Sequence, residues 1–394
     1  MHTTEIPQRA EMLRRATDLV PLIRDRAPGA EHLRRMDDDV VSALIETGIL
    51  KMRVPVRYGG FESDTRSLVD VGIQLGRGDG AVGFTVALWW ITSWIVGLFP
   101  DPVQDEVWGS DPDVLVCGTL APTGMATAVD GGILVNGRWG FNSGAAHSQW
   151  KMLSAVLTTP DGGGEPIMAL VPIKDIQVVD DWHVAGLRAT GSVSMVADNL
   201  FIPQDRVIAI APLMAQQYAS KLNKDRPIYR CPMIPAASAS TIGKVAGLMM
   251  NAREAFFERL PGRGITYSGY GDQREAPLTH HQVAEAAMKI DEAEFHAYRL
   301  ADLVDAKCAG GETWSVTERA LARVAMGRVC QLAHDAIGIY NTASGGSSIF
   351  ETVPIQRIVR DMEAINLHAL NHPNTNMELY GRVLCGLEPD SAYL

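Results

Sequence analysis

Helical periodicity on both sides of a strand-rich block, Val114 to Pro203, constrains this chain more than any other feature. Within the block, short aliphatic runs alternate with turn residues. Asp130-Gly131-Gly132 precedes Ile133-Leu134-Val135, and Asn136-Gly137 predicts a hairpin turn. Lys151 to Thr158 and Ile167 to Ile173 predict strands joined by the loop Pro160 to Gly164, and Val193 to Ile202 ends the block at Pro203. A small antiparallel barrel or sandwich fits this pattern. Ahead of it, Asp37, Asp38 and Asp39 offer N-cap side chains, Val40, Val41, Leu44 and Ile45 form an apolar stripe, and Gly48 supplies the stop. Further helices are expected from about Ser67 to Gly76 and from about Val82 to Leu98. After Val207, helical spacing returns in Val283, Ala287, Ile290, Ala293, Ala297, Leu300 and Val304, then in Trp314 to Ile339 and Val353 to Leu367. The expected fold class is α+β: an N-terminal helical domain (1–113), a central β-barrel or sandwich domain (114–207) and a C-terminal four-helix bundle (208–394).

Several functions are disfavoured at once. The 394 residues carry a formal net charge of −11 and no Lys/Arg-rich run, which argues against a nucleic-acid partner. The stretch Ala81 to Pro100 has the length of a membrane span, but Thr85, Thr92, Ser93 and neighbouring Gly and Pro residues favour a buried helix. The first residues contain no apolar signal-type core, so a cytoplasmic location is expected. Five scattered cysteines without a CxxC pair suit reduced thiols. No metal-ligand spacing occurs; His280 and His281 are adjacent and cannot face one ion from a helix.

Four segments, in order along nearly the whole chain, carry a resemblance. Arg57-Tyr58-Gly59-Gly60-Phe61 resembles the Y-G-G turn of the acyl-CoA dehydrogenase superfamily. Gly132 to Trp139 resembles its N-G strand pair, and Gly186-Leu187-Arg188-Ala189-Thr190-Gly191-Ser192, running on to Phe201-Ile202-Pro203, resembles its G-x-R-x-S/T strand. Gly345-Gly346 through Pro354-Ile355-Gln356-Arg357-Ile358-Val359-Arg360-Asp361 is similar to its G-G…R-x-x-R-D segment. The dehydrogenases commonly carry a glutamate base shortly after that Arg-Asp pair. Here the matching place is Ala369 or close to it, and no carboxylate occurs between Ala364 and Met377. His368 instead resembles the two-component (group D) flavin monooxygenases of the superfamily, as do Phe141-Asn142-Ser143-Gly144 and the tail from His372-Pro373 to Glu388-Pro389, which is similar to biosynthetic hydroxylases.

That resemblance implies a reduced flavin (FADH2 or FMNH2) that takes up O2 as a C4a-hydroperoxide and passes the distal oxygen to a substrate carbon or nitrogen. It implies a dry site with a hydrogen-bond partner near the flavin N5. Ser143 is the candidate for that partner and His368 for the acid–base group, by deprotonating the substrate or steering the peroxide proton; His372 is its alternative. Phe141, Asn142, Trp182, Arg188 and Ser192 are flavin-binding candidates, with Arg188, Thr190 and Ser192 expected on a strand. Arg274, in Tyr270-Gly271-Asp272-Gln273-Arg274, is a candidate for a neighbouring subunit's flavin phosphates. Trp90, Thr92 and Trp94 are substrate-lining candidates, with core packing as the competing reading; His147 has no motif support and suits a structural role. No GxGxxG unit or Walker loop is present, so a separate NAD(P)H:flavin reductase is expected as partner. The superfamily's usual assembly implies a homotetramer. An acyl-CoA dehydrogenase or oxidase and a non-catalytic flavin-binding subunit are the competing functions.

Overall fold

A computed structural model describes residues 6–394. Helices α1 (Arg9–Leu33), α2 (Asp38–Glu46), α3 (Thr65–Gly78), α4 (Gly80–Val96) and α5 (Asp101–Trp108) precede the strands. Asp37 caps α2 by accepting from the Asp39 N–H. Asp79 joins α3 to α4 without a loop, its carboxylate accepting from the Ala81 and Val82 N–H groups. Nearly every residue of α4 is buried, so the apolar stretch is a core helix. Among the described residues no helix is long and apolar enough to cross a membrane.

The strands are β1 (Val116–Gly118), β2 (Gly124–Val129), β3 (Gly132–Trp139), β4 (Trp150–Thr158), β5 (Gly164–Pro172), β6 (Gln177–Val179), β7 (Ser194–Pro203) and β8 (Val207–Ala209). They form one sheet in the order β6-β7-β3-β2-β4-β5-β8, with β1 also on β4. The pairing is mixed rather than antiparallel throughout, because β1 and β2 both run parallel to β4. Successive side chains point to opposite faces, which explains why β4 and β5 are apolar on both. Leu153, Ala155, Ala169 and Val171 fill the sheet's own core with Val135 and Trp139. Met152, Met168 and Leu170 face the helices.

One local expectation is corrected. Asn136-Gly137 is not a hairpin turn but lies inside β3, where the register against β7 shifts. The turn sits at Asp130-Gly131, with Gly131 at φ 73°. Gly137 serves close approach instead: a Cβ there would lie 2.7 Å from the Gly124 Cα of β2.

Beyond the sheet come α6 (Ile210–Met214), α7 (Met233–Thr241), α8 (Gly243–Arg259), α9 (Pro277–Gly310), α10 (Val316–Ala343), α11 (Pro354–Asn366) and α12 (Pro373–Leu384). The start of α10 is a capping box: Ser315 accepts from the Glu318 N–H, and Glu318 accepts from the Ser315 N–H. Ser315→Ala should lower stability by about 1 kcal/mol in urea unfolding, and Ser315→Asp should restore most of it.

Candidate active site

Two loops meet at the edge of the sheet. The first, Gly140 to Ser148, leaves β3; the second, Gly186 to Val193, enters β7. Backbone bonds from the Asn142 N–H to Val193 O (3.2 Å) and from the Gly144 N–H to Thr190 O (2.8 Å) clamp them together. Helix α4 supports the first loop from behind: the Trp89 indole donates to Ser148 Oγ, which donates to Gly144 O.

Three buried hydroxyls line the junction. Ser143 Oγ lies 2.7 Å from Ser192 Oγ, which lies 2.6 Å from Thr190 Oγ1. Thr190 Oγ1 is also 2.8 Å from Leu187 O, and a carbonyl can only accept. Each hydroxyl has one proton, so the direction of the chain follows. Thr190 donates to Leu187 O, Ser192 donates to Thr190, and Ser143 donates to Ser192. Ser143 is left with free lone pairs, ready to accept from an N–H group.

Two partnerless polar atoms lie on these same loops. Asn142 is fully buried; its amide nitrogen donates to Trp139 O (2.7 Å) and Val193 O (2.8 Å), while its Oδ1 has no partner. Arg188 has a buried Nε with no acceptor and forms no ion pair among the described residues. Phe141, at φ 62°, is 73 % exposed and meets Trp182 edge-on at 5.8 Å. Trp182 donates its indole N–H to Leu187 O. The expectation that Arg188, Thr190 and Ser192 lie on a strand is corrected. Arg188–Thr190 is a 3-10 turn between left-handed Leu187 and Gly191, and β7 starts only at Ser194. The left-handed residues turn the chain back on itself, which a strand cannot do.

His368 sits in the turn just after α11. Its ring meets Phe84 of α4 edge-on at 5.8 Å, and burial, reinforced by Lys244, pushes its pKa down to about 4. Its Nδ1 accepts from the Leu370 N–H at 3.3 Å, so the neutral ring carries its proton on Nε2. His368 therefore offers a hydrogen-bond donor. His372 plays a different part, as the N-cap of α12 that accepts from the Thr375 N–H. His147, its pKa lowered by burial, holds the Met36 carbonyl and ties α2 to the first loop.

The remaining candidates lie apart from this cluster. Trp90 and Trp94 are fully buried and donate to Ile49 O and Ile228 O, each at 2.8 Å. Thr92 bonds to Leu88 O and Val116 O. All three face the packed core. Arg274 is exposed and paired with Asp272. Basic groups with open donors lie instead at Arg259 and Arg263, whose Nη1 atoms are buried and partnerless beside Ser344 and Ser347. Residue patterns had not singled out these arginines, nor Phe84, Lys244 or the partnerless Asn366 Oδ1; Asp361 was read only as part of a family segment. A groove of about 520 Å³ along α9, lined by Met288, Glu292 and Phe295, shares no residue with the cluster, which is recognised by its chemistry rather than its depth.

A carboxylate does lie close by. Asp361 of α11 accepts from the Leu187 N–H at 2.6 Å and is pushed up to about 8 by burial and by Asp79. It is committed to holding the second loop.

Comparisons with known proteins identify the family. The profile of the family described as "Acyl-CoA dehydrogenase, C-terminal domain" matches residues 242–373. The chain is 30% identical over 392 residues to "Flavin-dependent monooxygenase, oxygenase subunit HsaA" of Mycobacterium tuberculosis, with 98% of each chain covered. It is 29% identical over 389 residues to the "FADH(2)-dependent resorcinol hydroxylase, oxygenase component" of Rhizobium sp., covering 96% of this chain and 95% of that one. The solved structure "XiaF from Streptomyces sp. in complex with FADH2 and Glycerol" matches with a TM-score of 0.93 at 29% identity over 98% of both chains. The chain thus belongs to the flavin-dependent monooxygenase oxygenase components built on the acyl-CoA dehydrogenase fold.

Proposed function

We propose that this protein hydroxylates a phenolic ring, using reduced flavin made by a separate NAD(P)H:flavin reductase and working as a homotetramer. The observation that carries the site assignment is the directed hydroxyl chain, which leaves Ser143 an acceptor beside the open Asn142 Oδ1 and Arg188 Nε. The edge of an isoalloxazine alternates N–H groups with carbonyl oxygens, so two acceptors and a cationic donor on adjoining loops fit it. Bound reduced flavin, with O2, supplies the oxygen atom to be transferred. Ser143 would accept from a ring N–H, with Ser192 and Thr190 holding Ser143 in place. Asn142 and Arg188 take further polar atoms of the ring, while Phe141 and Trp182 cover it against water. His368, neutral with its proton on Nε2, would supply a hydrogen-bond donor at the reacting end of the site. The phenolic substrate is favoured by the resorcinol named for one relative, which shares a reduced-flavin requirement in its name. Arg263 and Arg259 suit the flavin's phosphate end better than the paired Arg274 does.

The test is a single turnover. Protein loaded anaerobically with FADH2, and separately with FMNH2, is mixed with O2 and resorcinol, and both hydroxylated product and hydrogen peroxide are measured. Product should form. Ser143→Ala should shift the ratio towards peroxide about tenfold, the worth of one hydrogen bond of roughly 1–1.5 kcal/mol. An unchanged ratio would remove Ser143 from the flavin site. Bleaching of oxidised flavin by an acyl-CoA would favour the dehydrogenase reading instead.

A further inference from the structure

Lys244 is a buried cation to which the chemistry so far gives no role. It opens α8, is 3 % exposed, and its Nζ donates to Thr241 O at 2.8 Å. Two further N–H donors remain, and no carboxylate pairs with it among the described residues. The groups around it cannot neutralise it. Helix α4 offers the Phe84 ring, whose centroid lies 5.2 Å from Nζ. Helix α10 offers Cys330, whose thiol burial pushes up to about 12. Helix α3 packs its Gly72 and Gly76 backbone against the Lys244 backbone. The turn after α11 offers His368, itself neutral, against the same Phe84 ring. The nearby Asp361 is taken up by Leu187 and lies beside the Asp79–Arg357 pair.

A desolvated ammonium without a counter-ion is costly, and an apolar residue would pack there at no such cost. Burial already draws Lys244 down to about 8. A position of this kind is explained if an anion arrives with the ligand. Resting on the hydroxylase reading, we propose that Lys244 holds the ionised hydroxyl of the substrate beside Phe84 and His368, so that a phenol binds as its phenolate. A phenol ionises near pH 10 in water, and an adjacent ammonium favours the anion. The proton is released to solvent. Ionisation makes the ring carbons beside the oxygen electron-rich, which is what attack on an electrophilic oxygen requires. Lys244 and His368 would then have separate roles: one charges the substrate, the other steers the oxygen.

The probe is 4-fluorophenol, whose fluorine resonance reports ionisation, bound anaerobically to the FADH2-loaded protein at neutral pH. The wild type should show the phenolate resonance. Lys244→Met should show the neutral phenol and bind about ten- to a hundredfold more weakly, the loss of one charge-assisted hydrogen bond. Lys244→Arg should keep the phenolate. Unchanged FADH2 affinity in Lys244→Met shows that the variant is folded. A phenolate signal in Lys244→Met, a neutral phenol in the wild type, or no binding at all would overturn the proposal. So would 4-fluorobenzoate competing with a Lys244-dependent affinity equal to or tighter than the phenol's, since the site would then be a carboxylate site. The two readings fail separately. Lys244-dependent ionisation with no hydroxylated resorcinol would sink only the hydroxylase reading; product formation with Lys244-independent ionisation would sink only this one.

Discussion

Substitution of His368 by alanine is expected to lower substrate hydroxylation by about 10²–10³-fold while O2 consumption continues, with nearly all of the oxygen ending as hydrogen peroxide. The size follows from the position. The ring is a neutral N–H donor packed against Phe84, its tautomer fixed by the Leu370 N–H and its charge suppressed by burial and Lys244. In the proposed role the donor acts only while oxygen is transferred, so its loss should leave flavin binding unaffected. His368→Asn, which keeps an N–H donor without a titratable ring, should recover part of the product. The pH behaviour separates this role from that of a titrating base. With the folded pKa at about 4, hydroxylation should show no step near the ordinary histidine value of 6.5. Stability should change there instead. Above pH 6.5 the ring is neutral whether folded or unfolded, and His368 contributes no pH dependence. As pH falls from 6.5 to about 4 the unfolded chain takes up a proton that the folded chain refuses, so stability is lost over that window. His368→Asn should flatten that loss in urea titrations at stepped pH. A coupling ratio in His368→Ala equal to that of the wild type would remove this residue from the reaction.

How far the sequence carried this site depends on what holds each residue. The helix–strand–helix order was readable because period and turn chemistry are local: Asp37, Gly48 and the Pro160–Gly164 loop mark boundaries on their own. Phe141 to Ser143 and Thr190 to Ser192 were found through motif resemblance, and the loops do bring Ser143 and Ser192 to 2.7 Å. The direction of their hydrogen bonds needed Leu187 O, which no spacing reveals. Asn136-Gly137 misled because a dipeptide that favours a turn also suits a close approach between strands, and the packing of Gly124 on Gly137 decides. The tryptophans of α4 attracted a functional reading by their number; Trp90 and Trp94 spend their indole N–H groups on core carbonyls, while Trp89 donates to Ser148 of the first loop. Phe84, Lys244 and His368 come from two helices and a turn far apart in the chain, each ordinary in its own window. Only packing makes them neighbours.

Gly186 gives the second large effect. Three consecutive groups of the second loop rest on α11: Ala185 O accepts from the Arg360 guanidinium, the Gly186 Cα packs against Arg360 O, and the Leu187 N–H donates to Asp361. A Cβ on Gly186 would lie 1.9 Å from Arg360 O and 2.5 Å from its carbonyl carbon, and neither backbone atom can rotate away. Gly186→Ala must therefore lift the loop from the helix. Overpacking costs about 1–3 kcal/mol, and a lost hydrogen bond to a buried carboxyl about 1.5–3 kcal/mol. Their sum is a large part of the roughly 5–15 kcal/mol that holds a typical domain together. The lifted loop carries Arg188, Thr190 and Ser192, so whatever protein still folds should bind FADH2 poorly and leak peroxide. Asp361→Asn probes the same contact more gently, because the amide oxygen can still accept from Leu187. Asp361 is raised from its ordinary value of 3.8 to about 8, so its contribution to stability is complete below pH 3.8 and lost as pH rises through 8. The asparagine variant should remove that decline and overtake the wild type in stability at alkaline pH. The control is Gly338→Ala in α10, where a Cβ meets nothing within 4 Å and helix propensity should leave stability equal or up to about 1 kcal/mol higher. Should Gly186→Ala unfold at the same urea concentration as Gly338→Ala, α11 does not set the position of the loop.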